Sequence, residues 1–163
     1  MPRQDIRSGY AYTDDGVQIH WRVLGSGIPL VCSNGVGVGT FFWKYIAERY
    51  QHEYSVVLWD YRGHGLSART IDPYNVDLSI QRHAMDLNCV LNAAFQENPE
   101  EIILMGHSMG CQVSLEAYQI LGPRVKCLGL PRRERVCSCI VRERRTHDAS
   151  PPDPSVPAPL SLR

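Results

Sequence analysis

The sequence predicts an α/β fold, with a mostly parallel sheet and flanking helices. Three observations predict it: short apolar segments that end in glycine or a polar residue, helical segments with an apolar stripe, and the alternation of the two kinds between residues 29 and 122. Parallel neighbours need a crossover connection, and strands that are apolar on both sides need a helix layer on each face. At 163 residues the chain fits one domain with a substantial core.

The first part of the chain is predicted as a hairpin followed by buried strands. "GYAYT" and "VQIHWRVLG" flank the turn "DDG", because Asp-Gly supplies the backbone freedom that a tight connection needs. "IPLVCSNG" and "YSVVLWD" are continuous in apolar residues, which is typical of strands buried on both faces. Between them, "TFFWKYIAERYQ" repeats apolar residues at helical spacing and predicts a helix.

The next elements continue the alternation. Residues 78–96 form the clearest helix and end at Asn98-Pro99. Its apolar stripe consists of Ile80, Ala84, Leu87, Leu91 and Phe95. "EIILMG" is a short apolar strand, and "MGCQVSLEAYQIL" is a helix closed by Gly122-Pro123. "RVKCLGL", at 124–130, begins one more strand.

The pattern stops after residue 130. Residues 1–123 carry 8 basic and 13 acidic side chains, a net −5, whereas residues 124–163 carry 9 and 4, a net +5. The segment 131–163 has five prolines after residue 150 and no sustained period, so it cannot bury enough apolar area to offset the cost of ordering. We therefore expect a partial α/β domain at 8–130 and a basic, proline-rich, disordered tail at 131–163.

Composition restricts the function classes. The 17 basic and 17 acidic residues balance, which argues against nucleic acid or a membrane surface as the partner of the whole molecule. The sequence has no long apolar segment of a secretory signal or membrane span, so the expected compartment is the cytoplasm.

The cysteines lack the CxxC pairs of a zinc site and are expected to be free thiols. They are Cys32, Cys89, Cys111, Cys127, Cys137 and Cys139.

The stretch "GHSMG", residues 106–110, gives Ser108 the surroundings of a nucleophile. It follows a predicted strand and opens a predicted helix, and active sites gather at the carboxyl ends of parallel strands. A serine on so tight a turn adopts strained dihedral angles, and glycines two residues either side avoid collisions with sheet and helix. The N–H of Met109 would then face a developing oxyanion. An idle serine on a tight turn is the alternative.

Three motifs occur in order along the chain, namely "SNGVGVG", "WDYRGHGLS" and "GHSMG". In their order and spacing, residues 8–130 resemble the α/β-hydrolase family of the soluble hydrolase-1 type. The resemblance implies Ser108 as nucleophile and an oxyanion hole made by the N–H groups of Met109 and Val36. Asn34 stands where many members carry histidine, a change that leaves the backbone donors in place.

The resemblance also implies a reaction class. It is hydrolysis of an ester, thioester or amide of a small molecule through an acyl-enzyme, with a small-molecule acyl substrate as partner and with no metal or cofactor. Serine at the turn argues against dehalogenase or epoxide-hydrolase chemistry, because those members carry aspartate there. Substrate identity and oligomeric state stay open at this point.

Other polar residues have a structural interpretation. In the family the segment that contains Asp60 and His64 is a structural turn, in which Asp60 and Arg62 brace loops. His107 directly precedes Ser108, and we expect it to point away from the serine and shape the pocket. The remaining histidines of strand or helix contexts are expected to be surface or packing residues, namely His20, His52 and His83.

A base and an acid for Ser108 are not evident. A serine hydroxyl needs a base that a third group holds, and in the family both follow the serine on later loops. After Ser108 the chain offers His147 beside Asp148, both in the predicted tail. The abrupt change near residues 127–130 is typical of a truncated or frameshifted copy, with a genuine short variant as the alternative. We expect an impaired serine hydrolase, or else a non-catalytic remnant or binding module that uses the pocket or the basic tail.

Overall fold

The structure is a computed structural model that describes residues 5–70 and 75–129, with the side chains of 68–70 left out. The predicted tail at 131–163 lies outside the described residues. No helix in the described ranges has the length and apolar character needed to cross a membrane.

The described chain contains six strands and three helices, and the two kinds alternate after the first three strands. The strands are β1 (Ile6–Tyr12), β2 (Gln18–Leu24), β3 (Pro29–Ser33), β4 (Ser55–Trp59), β5 (Ile102–Gly106) and β6 (Val125–Gly129). The helices are α1 (Lys44–Tyr50), α2 (Ile80–Ala94) and α3 (Met109–Leu121), with shorter 3₁₀ turns at Thr40–Trp43, Gly65–Thr70 and Gly122–Arg124. The predicted α/β architecture is confirmed.

The strands form one sheet in the order β1-β2-β4-β3-β5-β6. The hairpin β1–β2 is antiparallel and β2 joins β4 antiparallel, whereas β4, β3, β5 and β6 run parallel. The carboxyl ends of β3, β4 and β5 therefore share one edge of the sheet. The loops that leave this edge begin at Asn34, Asp60 and His107, so three predicted motifs meet there.

Each face of the sheet has its own apolar core, because successive side chains of a strand point to opposite faces. On β3, Val31 packs in the larger core with α2 and α3, whereas Leu30 and Cys32 pack in the smaller core with Trp43 and Ala47 of the α1 side. Both layers predicted from the fully apolar strands are present. The sheet edge that carries the motifs is thus supported from both sides.

Two helices differ in their bounds from the sequence prediction. Helix α2 begins at Ile80 rather than residue 78, because Ser79 takes the N-cap position and its hydroxyl accepts the Arg82 N–H at 3.2 Å. The segment predicted as one helix from Thr40 begins instead with a 3₁₀ turn. Trp43 closes that turn, is buried, and donates its indole N–H to Asn34 Oδ1 at 2.7 Å, which holds the turn against the loop after β3.

A buried ion-pair network ties the β1–β2 turn to α2. Arg62 has no exposed surface, and its Nε and Nη2 each donate to one oxygen of Asp86 at 2.7 Å. Its Nη1 donates to Asp15 at 2.7 Å, and this hydrogen bond holds the pKa of the Asp15 carboxyl well below its usual range. Arg82 joins the same network through Asp14, Asp15 and Asp86. A buried guanidinium is tolerated only because these carboxylates compensate it.

Asp86→Asn is expected to lower the free energy of unfolding by about 3–5 kcal/mol, because it leaves the Arg62 charge buried with only one carboxylate. The matched control is Glu48→Gln, which removes the exposed pair with Lys44, 4.0 Å apart, and is expected to change it by less than about 1 kcal/mol. Urea denaturation monitored by circular dichroism measures both. Equal effects of the two variants would contradict a structural role for the network.

His83 makes the stability of the fold depend on pH. Its ring is buried against Tyr61, with centroids 4.6 Å apart, and burial lowers the pKa of His83 to about 4, although Asp86 lies 4.0 Å away. Between that value and the usual 6.5 the unfolded chain binds more protons, so acidification destabilises the fold. Above pH 6.5 this contribution is fully present, and it is lost as the pH falls towards 4.

We expect the free energy of unfolding to fall by up to about 1.4 kcal/mol for each pH unit between pH 6.5 and 4 on account of His83. His83→Gln should remove this part of the slope, whereas His52→Gln, at an exposed position, should leave it in place. Urea titrations at stepwise pH values measure the slope. An unchanged slope in His83→Gln would show that other groups are responsible.

Candidate active site

The backbone of Ser108 is strained in the way that a nucleophile turn requires. Its φ is 54° and its ψ is −120°, and among the described residues it is the one non-glycine residue with positive φ. The residue is exposed and stands between β5 and the first residue of α3. Such a conformation costs on the order of 1–3 kcal/mol and persists only where the surrounding structure enforces it.

The two glycines of the motif allow the chain to turn this tightly. A side chain on Gly106 would begin 2.3 Å from the carbonyl oxygen of Gly110, and one on Gly110 would begin 2.1 Å from that of Ser33. Both contacts are with backbone atoms that cannot move aside. The turn passes directly into α3, because the Gly110 N–H donates to His107 O and the Cys111 N–H donates to Ser108 O, each at 2.9 Å.

The backbone groups predicted for an oxyanion hole lie on two segments that meet beside Ser108. Met109 is the first residue of α3, so its N–H has no acceptor within the helix. Val36 follows Gly35 in the loop after β3, and a side chain on Gly35 would begin 3.3 Å from Ser108 Cβ and 2.9 Å from His107 Nδ1. The absence of a side chain at Gly35 lets the loop lie against the turn that carries Ser108.

Asn34 anchors that loop by three hydrogen bonds. The residue is buried; its Nδ2 donates to Trp59 O at 3.0 Å, and its Oδ1 accepts the Trp43 indole N–H at 2.7 Å. Its carbonyl oxygen accepts the Tyr61 hydroxyl at 2.8 Å. From its sequence context Asn34 is only a departure from histidine, and this anchoring role is not predicted. The available signal is a pair of polar residues, Ser33 and Asn34, directly after the apolar run "IPLVC".

The described histidines each have surroundings other than Ser108. His20 Nδ1 lies 3.3 Å from Asp60 Oδ2, and His64 Nδ1 lies 3.1 Å from Arg62 O. His52 is exposed and His83 is buried near Asp86. None of the four forms a hydrogen bond with Ser108 within the described ranges. The remaining candidates from the sequence, His147 and Asp148, lie outside the described residues.

His107 packs sideways from the turn. Its ring lies against Phe42, with centroids 4.3 Å apart and planes at 33°, and its Nδ1 is buried with no hydrogen-bond partner among the residues that the structure describes. The His107 ring therefore packs next to Ser108 and does not accept a hydrogen bond from its hydroxyl.

Asp60 is held within its own turn. Its Oδ2 accepts the Leu66 N–H at 3.2 Å in addition to facing His20. Gly65 has a φ of 49°, and a side chain there would begin 2.6 Å from the Asp60 carboxyl group. The carboxylate therefore stabilises the segment after β4, and Arg62 of the same segment serves the ion-pair network described above.

The cysteines in the described ranges are free thiols, namely Cys32, Cys89, Cys111 and Cys127. Cys111 lies nearest the motif, where its Sγ donates to Gly106 O at 3.2 Å, and burial raises its pKa. This thiol is protonated at neutral pH and does not compete with Ser108 as a nucleophile. Residues 5–70 and 75–129 contain no group of three or more histidine, cysteine or acidic side chains that could hold a metal ion.

Comparison with known proteins found a matching family model and similar hydrolases. The model of a family described as "Serine aminopeptidase, S33" matches residues 37–128. The "Putative carbamate hydrolase RutD" of Azorhizobium caulinodans is 32% identical over 119 residues, which are 73% of this chain and 42% of that protein. The "Pimeloyl-[acyl-carrier protein] methyl ester esterase" of Vibrio campbellii is 29% identical over 118 residues, 70% of this chain and 42% of that protein.

A solved structure shares the fold. The epoxide hydrolase CorEH superposes with a TM-score of 0.67 at 21% identity, over 77% of this chain and 42% of that one. At this identity the likeness extends to the fold alone. The chain spans about two fifths of the length of the curated relatives it matches, 42% in both cases.

Strain at Ser108 can be measured by comparing two substitutions. Ser108→Gly should have a free energy of unfolding about 1 kcal/mol higher than Ser108→Ala, because glycine adopts positive φ without steric cost. This relief of backbone strain exceeds the cost of the greater conformational entropy that glycine gives the unfolded chain. Urea denaturation of the two variants measures the difference. A Ser108→Ala variant as stable as Ser108→Gly would show that the turn stores no strain.

Proposed function

We propose a function for this chain from the premise that it belongs to the serine aminopeptidase S33 family, within the α/β-hydrolases. The proposed reaction is hydrolysis of an ester, thioester or amide of a small molecule through an acyl-enzyme on Ser108, with impaired efficiency. The strained serine at the carboxyl end of β5, flanked by two obligatory glycines, is the observation that carries the proposal.

In the proposed reaction Ser108 Oγ attacks the acyl carbon of the substrate, and its proton passes to a base. The carbonyl oxygen becomes an oxyanion, for which the N–H groups of Met109 and Val36 are the proposed donors. The N-terminus of α3 adds a favourable field because its unpaired N–H groups carry partial positive charge. Collapse of the intermediate expels the leaving group, and water then releases the acid from Ser108.

Impairment is proposed because no histidine of the described residues is bonded to Ser108. In other serine hydrolases, loss of the serine or its base lowers the rate by about 10⁶ and leaves about 10³ to 10⁴ over water from the oxyanion hole and binding. We expect this chain by itself to have activity near that lower level. His147 is the one further histidine of the sequence that could serve as base.

The substrate class is proposed from the relatives and from Ser108 itself. Two relatives carry the names of a carbamate hydrolase and a methyl ester esterase, both of which break a bond at an acyl carbon. The shared fold with an epoxide hydrolase carries less weight, because a serine in place of the aspartate of such enzymes favours acyl transfer. We further propose residues 8–130 as a partial domain with a tail at 131–163, and the cytoplasm as compartment from the sequence pattern.

A second candidate function is non-catalytic. The same observation that predicts impairment, five described histidines all placed without a bond to Ser108, favours a remnant or binding module that uses the pocket or the basic tail. The two candidates differ in whether Ser108 can form a covalent bond with an acyl or phosphonyl group.

A fluorophosphonate probe distinguishes them. We expect slow formation of one phosphonyl adduct, detected by intact-mass spectrometry, because the oxyanion hole binds the tetrahedral phosphorus even without an efficient base. The adduct should be absent from Ser108→Ala, and its rate should rise with pH as the serine proton becomes easier to remove.

Two other outcomes would change the proposal. No adduct on folded protein would reject the hydrolase and leave the non-catalytic function. Rapid stoichiometric labelling would reject the impairment, since some base would then activate Ser108, and loss of that labelling in His147→Ala would identify the base.

A further inference from the structure

The loop and 3₁₀ turn after β3 present apolar side chains next to the proposed nucleophile. Four large apolar residues between positions 36 and 45 are exposed: Val36, Phe41, Phe42 and Tyr45. Exposed aromatic rings so close together are uncommon on a surface that contacts only water. Their relation to Ser108 depends on which of them touch the turn that carries it.

Phe42 is the aromatic residue whose contacts lead to Ser108. Its ring lies against the His107 ring at 4.3 Å between centroids, and His107 is the residue before Ser108. Its other neighbour is Trp43, with ring centroids 5.2 Å apart and planes at 88°. Phe42 still has 43% of its surface exposed after both contacts. An apolar ring is thus held in place on two sides and open on the rest.

Phe42 is connected to Ser108 through His107, whose ring it touches and which directly precedes the serine. The backbone of Gly35 lies against the same two residues of the turn, since a side chain there would begin 2.9 Å from His107 Nδ1 and 3.3 Å from Ser108 Cβ. We call the pair Phe42 and His107 the aromatic wall. Phe41, by contrast, folds back on its own loop, 3.3 Å from the position of a Gly39 side chain, and has no ring contact with His107.

Phe42 supplies an apolar ring to the wall, whereas the polar nitrogens of the wall belong to His107, whose Nδ1 is buried. The first charged side chain along the chain, Lys44, is exposed and lies 4.0 Å from Glu48. Apolar ligand area gains affinity on such a surface, by up to about fourfold for each methylene that is fully buried.

We propose that the aromatic wall is an acyl-binding subsite that takes an apolar alkyl or aryl acyl group, with the acyl carbon at Ser108. This inference deepens the proposed function and rests on it for the reaction, but binding to the wall does not require Ser108 to be reactive. Phe42 is the specificity-determining residue, because its ring supplies the open apolar surface.

Trp43 provides a local reporter for the test. Its buried indole N–H is bonded to Asn34 and its ring touches Phe42, whereas Trp21 and Trp59 lie in the other core. Butyrate, hexanoate and octanoate, the acid products of the expected esters, are titrated into ¹⁵N-labelled full-length protein below their micellar concentrations. We expect shifts of the Trp43 indole resonance with affinity increasing along the series, and steady Trp21 and Trp59 resonances.

Two neighbouring phenylalanines give a matched pair of variants. Phe42→Ser should weaken octanoate binding about tenfold or more, because it removes the ring that the chain would cover. Phe41→Ser removes an even more exposed ring and should change the affinity less than about twofold, because Phe41 lies outside the wall. Phe42→Leu, which keeps an apolar side chain in the fold, should give an intermediate loss.

The outcomes separate the subsite from the chemistry. Octanoate shifts retained in Ser108→Ala, together with no fluorophosphonate adduct on the unmodified chain, would support the subsite and reject the hydrolase. Equal losses in Phe41→Ser and Phe42→Ser, affinity independent of chain length, or no shift at Trp43 would overturn the subsite. If Phe42→Ser fails to fold, seen as collapse of the Trp21 and Trp59 resonances, Phe42→Leu against Phe41→Ser decides in the same way.

Discussion

The close backbone contact between β3, β5 and α3 is the constraint on which the site depends. Gly106 and Gly110 leave no space for a side chain, since the positions of their Cβ atoms lie 2.3 Å and 2.1 Å from carbonyl oxygens. Because α3 approaches β3 so closely, the chain between β5 and α3 must turn within two residues, His107 and Ser108. Ser108 takes the strained position that results, and its exposure at the edge of the sheet is a consequence of packing beneath it.

Buried polar groups hold the other loops of this edge in fixed positions. Asn34 satisfies its amide and its carbonyl with partners from two segments, Trp43 before α1 and Trp59 with Tyr61 at the end of β4. Arg62 satisfies its guanidinium with Asp15 and Asp86. Unpaired buried polar groups are costly, so each network is satisfied in one arrangement of its loops. The two networks serve different ends, because that of Asn34 lies at the proposed oxyanion loop and that of Arg62 secures the hairpin turn.

Sequence reasoning predicted the parts of the fold that short-range patterns determine. Apolar strands, the stripe of α2 and the glycine spacing around Ser108 are all properties of neighbouring residues, and the structure confirms the α/β architecture that they imply. Asn34 and Phe42 could not be assigned in this way. Their roles depend on partners such as Trp59 and His107, which are distant in sequence and come into contact only when β3, β4 and β5 lie side by side.

The same distinction separates the requirements for binding from those for proton transfer. An oxyanion hole and an acyl wall can be built from segments that follow β3 and β5, because backbone N–H groups and an adjacent ring need only those two strands as support. A base must instead be carried to Ser108 from another part of the chain and oriented by a third group. In the described residues three histidines are engaged elsewhere, by Asp60, by Arg62 or by burial near Asp86. The two others in this part of the chain, His52 and His107, form no hydrogen bond with Ser108. Recognition of an apolar acyl group is therefore the property that this region can have even where turnover is slight.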